Sequence, residues 1–181
     1  MSKSNCFSSG DEIVILYKGE IKSITFGKLY ELVGNESNYD AEASAFYKTP
    51  VDLEVLDSAK NTNGAITAWT KVSKLYNCKN TEKMTVISLS NGDEITLNEN
   101  HTLYMDNGSM EPELVKVSSL AEGNHILASR DINKVVDYGI SQYITNLTTV
   151  TKIENKDPEK FVYAIDTESG HVLTKNILVT V

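Results

Sequence analysis

Thr85-Val86-Ile87-Ser88-Leu89-Ser90-Asn91-Gly92-Asp93-Glu94-Ile95-Thr96-Leu97-Asn98 is the stretch whose reading decides the fold. Two runs rich in β-branched and aliphatic residues flank Asn91-Gly92, the dipeptide that most readily supplies the positive φ angles of a tight hairpin turn. A β-hairpin is therefore predicted. Outward from it the same texture recurs in Glu12–Lys18, Val51–Leu56, Ala65–Tyr76, His125–Ala128, Thr148–Ile153, Val162–Thr167 and Ile177–Val181, bounded by Gly, Asn and Asp. That repetition predicts an all-β chain. Two segments interrupt it with a helical stripe, Phe26, Leu29, Tyr30 and Val33 in the first and Leu114, Val117 and Leu120 in the second. Each predicts one short helix packed on the sheet. Residues 34–50 and 130–146 are polar and weakly periodic, which predicts loops or insertions.

The chain has 181 residues, 40% hydrophobic and 23% charged, the proportions of one ordinary globular domain. Its formal charge is -8 and no dense Lys/Arg cluster tracks a phosphate backbone, so nucleic acid is not an expected partner. No apolar run approaches the ~20 residues that cross a bilayer, and Met1–Asn5 is too short and polar for a leader. A cytoplasmic monomer without membrane contact is expected. Two cysteines, Cys6 and Cys78, build no disulfide framework, and a reducing compartment leaves the Cys6 thiol able to react. The histidines and cysteines lack zinc-ligand spacing, and there is no phosphate loop or Ser-centred elbow. Neither metal nor cofactor is expected.

The chemistry centres on Asn5-Cys6-Phe7-Ser8-Ser9-Gly10-Asp11-Glu12-Ile13-Val14. A thiolate is a strong nucleophile, and a Cys with a residue ahead of it can attack that residue's carbonyl, here Asn5, in an N-to-S acyl shift. The product is a thioester. Because an amide resists this exchange, the fold must twist the peptide, donate to its oxygen and protonate the departing nitrogen. By itself a Cys near a terminus is more often a small packed or merely exposed residue.

This run resembles the N-terminal splice-junction motif of inteins. Inteins follow it with a strand ending in Thr-x-x-His, and Asn98-Glu99-Asn100-His101 occupies that place directly after the hairpin. The resemblance makes His101 the candidate proton donor to the Cys6 nitrogen. Asn98 stands where the family has Thr and keeps a donor and an acceptor. Thr96 lies two residues back on the same strand face, a second candidate for orienting His101 or the scissile peptide.

The third motif of inteins is similar to Val162-Tyr163-Ala164-Ile165-Asp166-Thr167-Glu168-Ser169-Gly170-His171, followed by Ile177-Leu178-Val179-Thr180-Val181. Ala164 occupies the family's Asp position, and ungapped alignment puts Gly170 where its His falls. Asp166 shares a face with Ala164, and His171 reaches the vacant place through a one-residue bulge. Both are candidate substitutes, with a plain surface strand as the other reading. The family closes on His-Asn where this chain has Thr180 and Val181, and neither can titrate near neutrality or cyclise. Three readings of that junction stay open: an altered or cut end, an Asn beyond Val181, or a relative that has lost splicing.

The resemblance implies the horseshoe-like Hint fold shared with hedgehog autoprocessing domains. Residues 6–181 would be the splicing domain without an endonuclease, 1–5 a remnant of the N-terminal flank, and the partners the flanking extein polypeptides in cis. Two other readings remain: a Hint autoprocessing domain that passes its thioester to an external nucleophile, and a non-catalytic β-rich binding module.

Overall fold

The computed structural model of the chain describes residues 5–34, 36–58, 67–109, 111–129, 145–174 and 177–181. In chain order these form β1 (Glu12–Tyr17), β2 (Glu20–Thr25), α1 (Phe26–Leu32), β3 (Asn38–Asp40), β4 (Ala45–Lys48), β5 (Leu53–Ser58), β6 (Thr67–Lys79), β7 (Met84–Leu89), β8 (Glu94–Asn98) and β9 (Thr102–Asp106). There follow β10 (Glu113–Lys116), a 3-10 turn (Val117–Ser119), β11 (His125–Ser129), β12 (Thr145–Lys156), β13 (Phe161–Thr167), β14 (His171–Thr174) and β15 (Ile177–Thr180). The strands join antiparallel in the order β3-β4-β6-β5-β1-β14-β15-β9-β11-β12-β7-β8, with β2 on β1, β10 on β9 and β13 on β6. The chain is all-β, as its sequence predicts.

The predicted hairpin is β7–β8, with Thr85 opposite Leu97 and Ile87 opposite Ile95. Gly92 takes a φ of 90°, left-handed backbone that a side chain would strain. A second hairpin, β1–β2, turns through Lys18 and Gly19 at φ 49° and 82°, the mirror-image turn that suits strand twist. The first helical stripe is α1: Thr25 Oγ1 accepts from the Lys28 N–H at its start, and Phe26, Leu29 and Tyr30 are buried.

The second stripe is not an α-helix. Leu114 lies in β10 opposite Tyr104 and is 51% exposed, and only Val117–Ser119 make a single 3-10 turn. A uniform spacing of three lacks the alternating three and four of an α-helical face, so pairing with β9 decides the conformation. Residues 34–50 are likewise more than a loop, since they carry the β3–β4 hairpin, joined to the sheet through β6. Its outer strand is short and largely exposed, which removes the apolar alternation a strand normally shows. The other predicted loop falls mainly on residues 130–144, outside the described residues, and β12 begins at Thr145.

Three features of this sheet place the site. Residues 5–8 run between β13 and β8, where Phe7 bridges Tyr163 and Leu97. At the other end of the chain β15 inserts between β14 and β9. The turn from β8 to β9, residues 99–101, lies between the two.

Candidate functional site

Phe7 fixes the start of the chain. Its N–H donates to the Tyr163 carbonyl at 2.8 Å, its carbonyl accepts from Tyr163 at 3.0 Å, and Ser8 N–H reaches Thr96 O at 3.2 Å. Cys6 is thereby drawn inside, 3% exposed, among Ala164, Val162, Tyr76 and Cys78. Asn98 clasps it on two sides: its Oδ1 accepts from Cys6 N–H at 3.0 Å, and its own N–H points to the Cys6 carbonyl at 3.4 Å. The amide orientation is dictated, because Nδ2 donates to Glu82 Oε2 at 2.9 Å. Thr96 acts through its main chain, its N–H donating to both oxygens of the buried Asp11 carboxylate at 3.2 Å.

Asn98→Ala is expected to cost about 1–3 kcal/mol, since it leaves the Cys6 N–H and the Glu82 carboxylate without this partner. Urea denaturation measures it. Unchanged stability would mean that water replaces the amide at no cost.

His101 is fully buried and lies edge-on to Phe7, ring centroids 4.7 Å apart. Its Nδ1 is 3.1 Å from the Cys6 carbonyl oxygen and its Nε2 is 2.8 Å from the Thr180 carbonyl oxygen. Burial holds its pKa down at about 4, while the contacts with Cys6 and Thr180 pull upward and lose. At neutral pH the ring therefore has one N–H for two acceptors. A proton reaching it would gain a second hydrogen bond at the cost of charging a buried ring.

Two further contacts tie the chain ends to β9. Thr102 N–H donates to Asn5 Oδ1 at 3.3 Å, and Thr180 Oγ1 donates to Thr102 O at 3.1 Å while also meeting Thr102 Oγ1. Val181 N–H reaches Gly170 O at 3.1 Å. Asn5, Cys6, Asn98, His101 and Thr180 thus come together.

Asp166 and His171 have other partners. Asp166 Oδ2 accepts from the Tyr76 hydroxyl at 2.9 Å, and burial together with this carboxylate raises the Tyr76 pKa. The methyl of Ala164, two residues back, shares the cluster of Cys6 instead. β13 does carry a register irregularity, between Asp166 and Thr167. His171 stands opposite Thr180 in the β14–β15 ladder, and its Nδ1 lies 2.7 Å from the buried Asp57. Glu82, Asp57 and Thr102 escape the sequence reading; only Thr102, beside His101, has a local signal that could have found it. Among the described residues no group of His, Cys, Asp and Glu could hold a metal ion, and Cys6 and Cys78 form no disulfide.

The sequence matches no family model and no curated protein. Solved structures do match. An intein from a hyperthermophile superimposes with TM-score 0.79 at 19% identity, covering 98% of this chain and 99% of that one. The transcription factor IIB Mvu mini-intein gives TM-score 0.78 at 16% identity over 98% and 99% of the two chains. The Pab PolII intein gives 0.78 at 18% over 97% and 99%. The fold is therefore the all-β Hint fold. These structures are matched along nearly their whole length, so the likeness extends over the entire fold.

Proposed function

We propose that this chain is an intein-type self-processing domain whose first step is an N-to-S acyl shift at Asn5–Cys6. Cys6 Sγ attacks the Asn5 carbonyl carbon; the C–S bond forms, the C–N bond breaks, and the thiol proton ends on the Cys6 nitrogen. No atom is gained or lost. Asn98 Oδ1 already holds that nitrogen, and it accepts equally well from the amine that forms. His101 Nδ1, on the carbonyl of the same residue, is the proposed carrier that returns the proton to the nitrogen.

The observation that supports this reading best is the placement of one buried imidazole between the carbonyls of Cys6 and Thr180. A domain that processes its own flanks needs both junctions at one site. The step proposed from the residues at this site is formation of the thioester and its release to a thiol or water; Thr180 and Val181 themselves bring neither a titrating group nor a side-chain amide to it. Thr96 is proposed to steady residue 8, Asp166 to steady β6 through Tyr76, and His171 with Asp57 to support the strand of Thr180.

The partners in this reading are the polypeptides attached in cis, residues 1–5 being the N-terminal one and 6–181 the domain. A monomer is proposed, since the residues of the proposed step all belong to one chain, and the net charge of -8 argues against nucleic acid as a partner. The thiols suit the reducing cytoplasm. No helix of the described residues is long and apolar enough to cross a membrane.

Incubation with dithiothreitol followed by intact mass measurement tests the proposal. The expected product begins at Cys6, with residues 1–5 released as the thiol ester. A mass that never changes would overturn the activity and favour a non-catalytic module of the same fold.

A further inference from the structure

We propose that the side chain of the residue preceding Cys6 is read by a subsite at Thr102, which accepts a short side-chain carbonyl or carboxylate, Asn here and Asp by the same geometry. This rests on the acyl-shift reading for its consequence in rate, but the contact itself stands on the ladder of β9. Val117 N–H donates to His101 O at 2.8 Å, and Thr102 is opposite Lys116. In an antiparallel pair that pattern makes Thr102–Lys116 the non-hydrogen-bonded pair, so the N–H and C=O of Thr102 point away from β10.

On that other side β15 meets β9 at Val179 and Leu103, one residue further along. Side chains add to this bridge at Thr102. Asn5 Oδ1 accepts from its N–H at 3.3 Å, and Thr180 Oγ1 donates to its C=O at 3.1 Å. One residue of β9 therefore holds a side chain from each end of the chain. Because Thr102 follows His101 directly, whatever seats residue 5 on this N–H also sets the Asn5–Cys6 peptide against the imidazole.

The reach is selective. Asn and Asp carry an acceptor oxygen on Cγ, Gln places it one methylene too far, and Leu has the shape of Asn with no acceptor. Asp adds charge to the same bond and should serve at least as well.

The test uses the full chain with Cys6→Ala to hold the junction intact, carrying Asn5, Asn5→Asp, Asn5→Gln or Asn5→Leu, and follows amide hydrogen exchange at Thr102 by nuclear magnetic resonance. Protection is expected with Asn and Asp, and exchange about tenfold faster with Leu and Gln. With Cys6 restored, dithiothreitol release should slow by about the same factor in Asn5→Leu and recover in Asn5→Asp. Equal Thr102 exchange in all four chains would overturn the subsite, and if the Cys6 chain still sheds residues 1–5 the acyl-shift reading survives that result. The reverse outcome, graded Thr102 protection in a chain that never cleaves, keeps the subsite and removes the acyl shift.

Discussion

His101→Gln is expected to slow thiol-induced release of residues 1–5 by about 10²- to 10⁴-fold, the usual worth of a positioned proton carrier. Cys6→Ala, which removes the nucleophile, should abolish it. Gln keeps one donor and one acceptor for the carbonyls of Cys6 and Thr180 but cannot carry a proton. The same substitution has a second readout. A free imidazole protonates below about 6.5, whereas the buried one waits until about 4. Between those values the unfolded chain binds the extra proton, so stability is complete above pH 6.5 and falls as pH drops toward 4. The loss is on the order of 3 kcal/mol for this fully buried ring. Urea midpoints measured from pH 7 to 4.5 should fall in the parent and fall less in His101→Gln. If both chains follow the same slope, His101 is not a buried neutral imidazole.

How much of this could be read from the sequence depends on how local the cause is. The β7–β8 hairpin was legible because Asn91-Gly92 determines its own turn, and α1 because four apolar residues share a stripe. β10 and the β3–β4 hairpin were not, since both take their conformation from a neighbouring strand that the local sequence does not announce. The site divides in the same way. Cys6, Asn98 and His101 sit in short motifs, and the sheet brings them into contact. The partner of Asn98, Glu82, is 16 residues away, that of His171, Asp57, is 114 away, and that of Asn5, Thr102, is 97 away. Pairings over such separations are set by strand register and leave no periodic trace. Asp166 shows the opposite case: alternation put it on the face of Ala164, but alternation does not say that Tyr76 would occupy its carboxylate.

Phe7→Ala is expected to cost about 3–5 kcal/mol, the largest stability loss of any single truncation at the site. Its ring is fully buried, stacked on Phe26 at 4.3 Å and 11°, with the edge of His101 4.7 Å away at 72°. Its backbone joins β13 to β8, so the ring and the main chain hold the same point from two directions. Phe7→Leu keeps much of the apolar volume and loses the aromatic pairing, worth about 0.5–1.5 kcal/mol beyond area. Urea denaturation should therefore rank the three chains Phe, Leu, Ala. The dithiothreitol assay should follow a different order of severity: Phe7→Leu loosens the wall of the imidazole and slows release while the fold persists, a separation of stability from rate that a cysteine merely packed in a core would not show. A Phe7→Ala loss below about 1 kcal/mol would mean that the ring does not anchor this junction. The seating of Cys6 would then rest on Asn98 and on the cluster around Ala164.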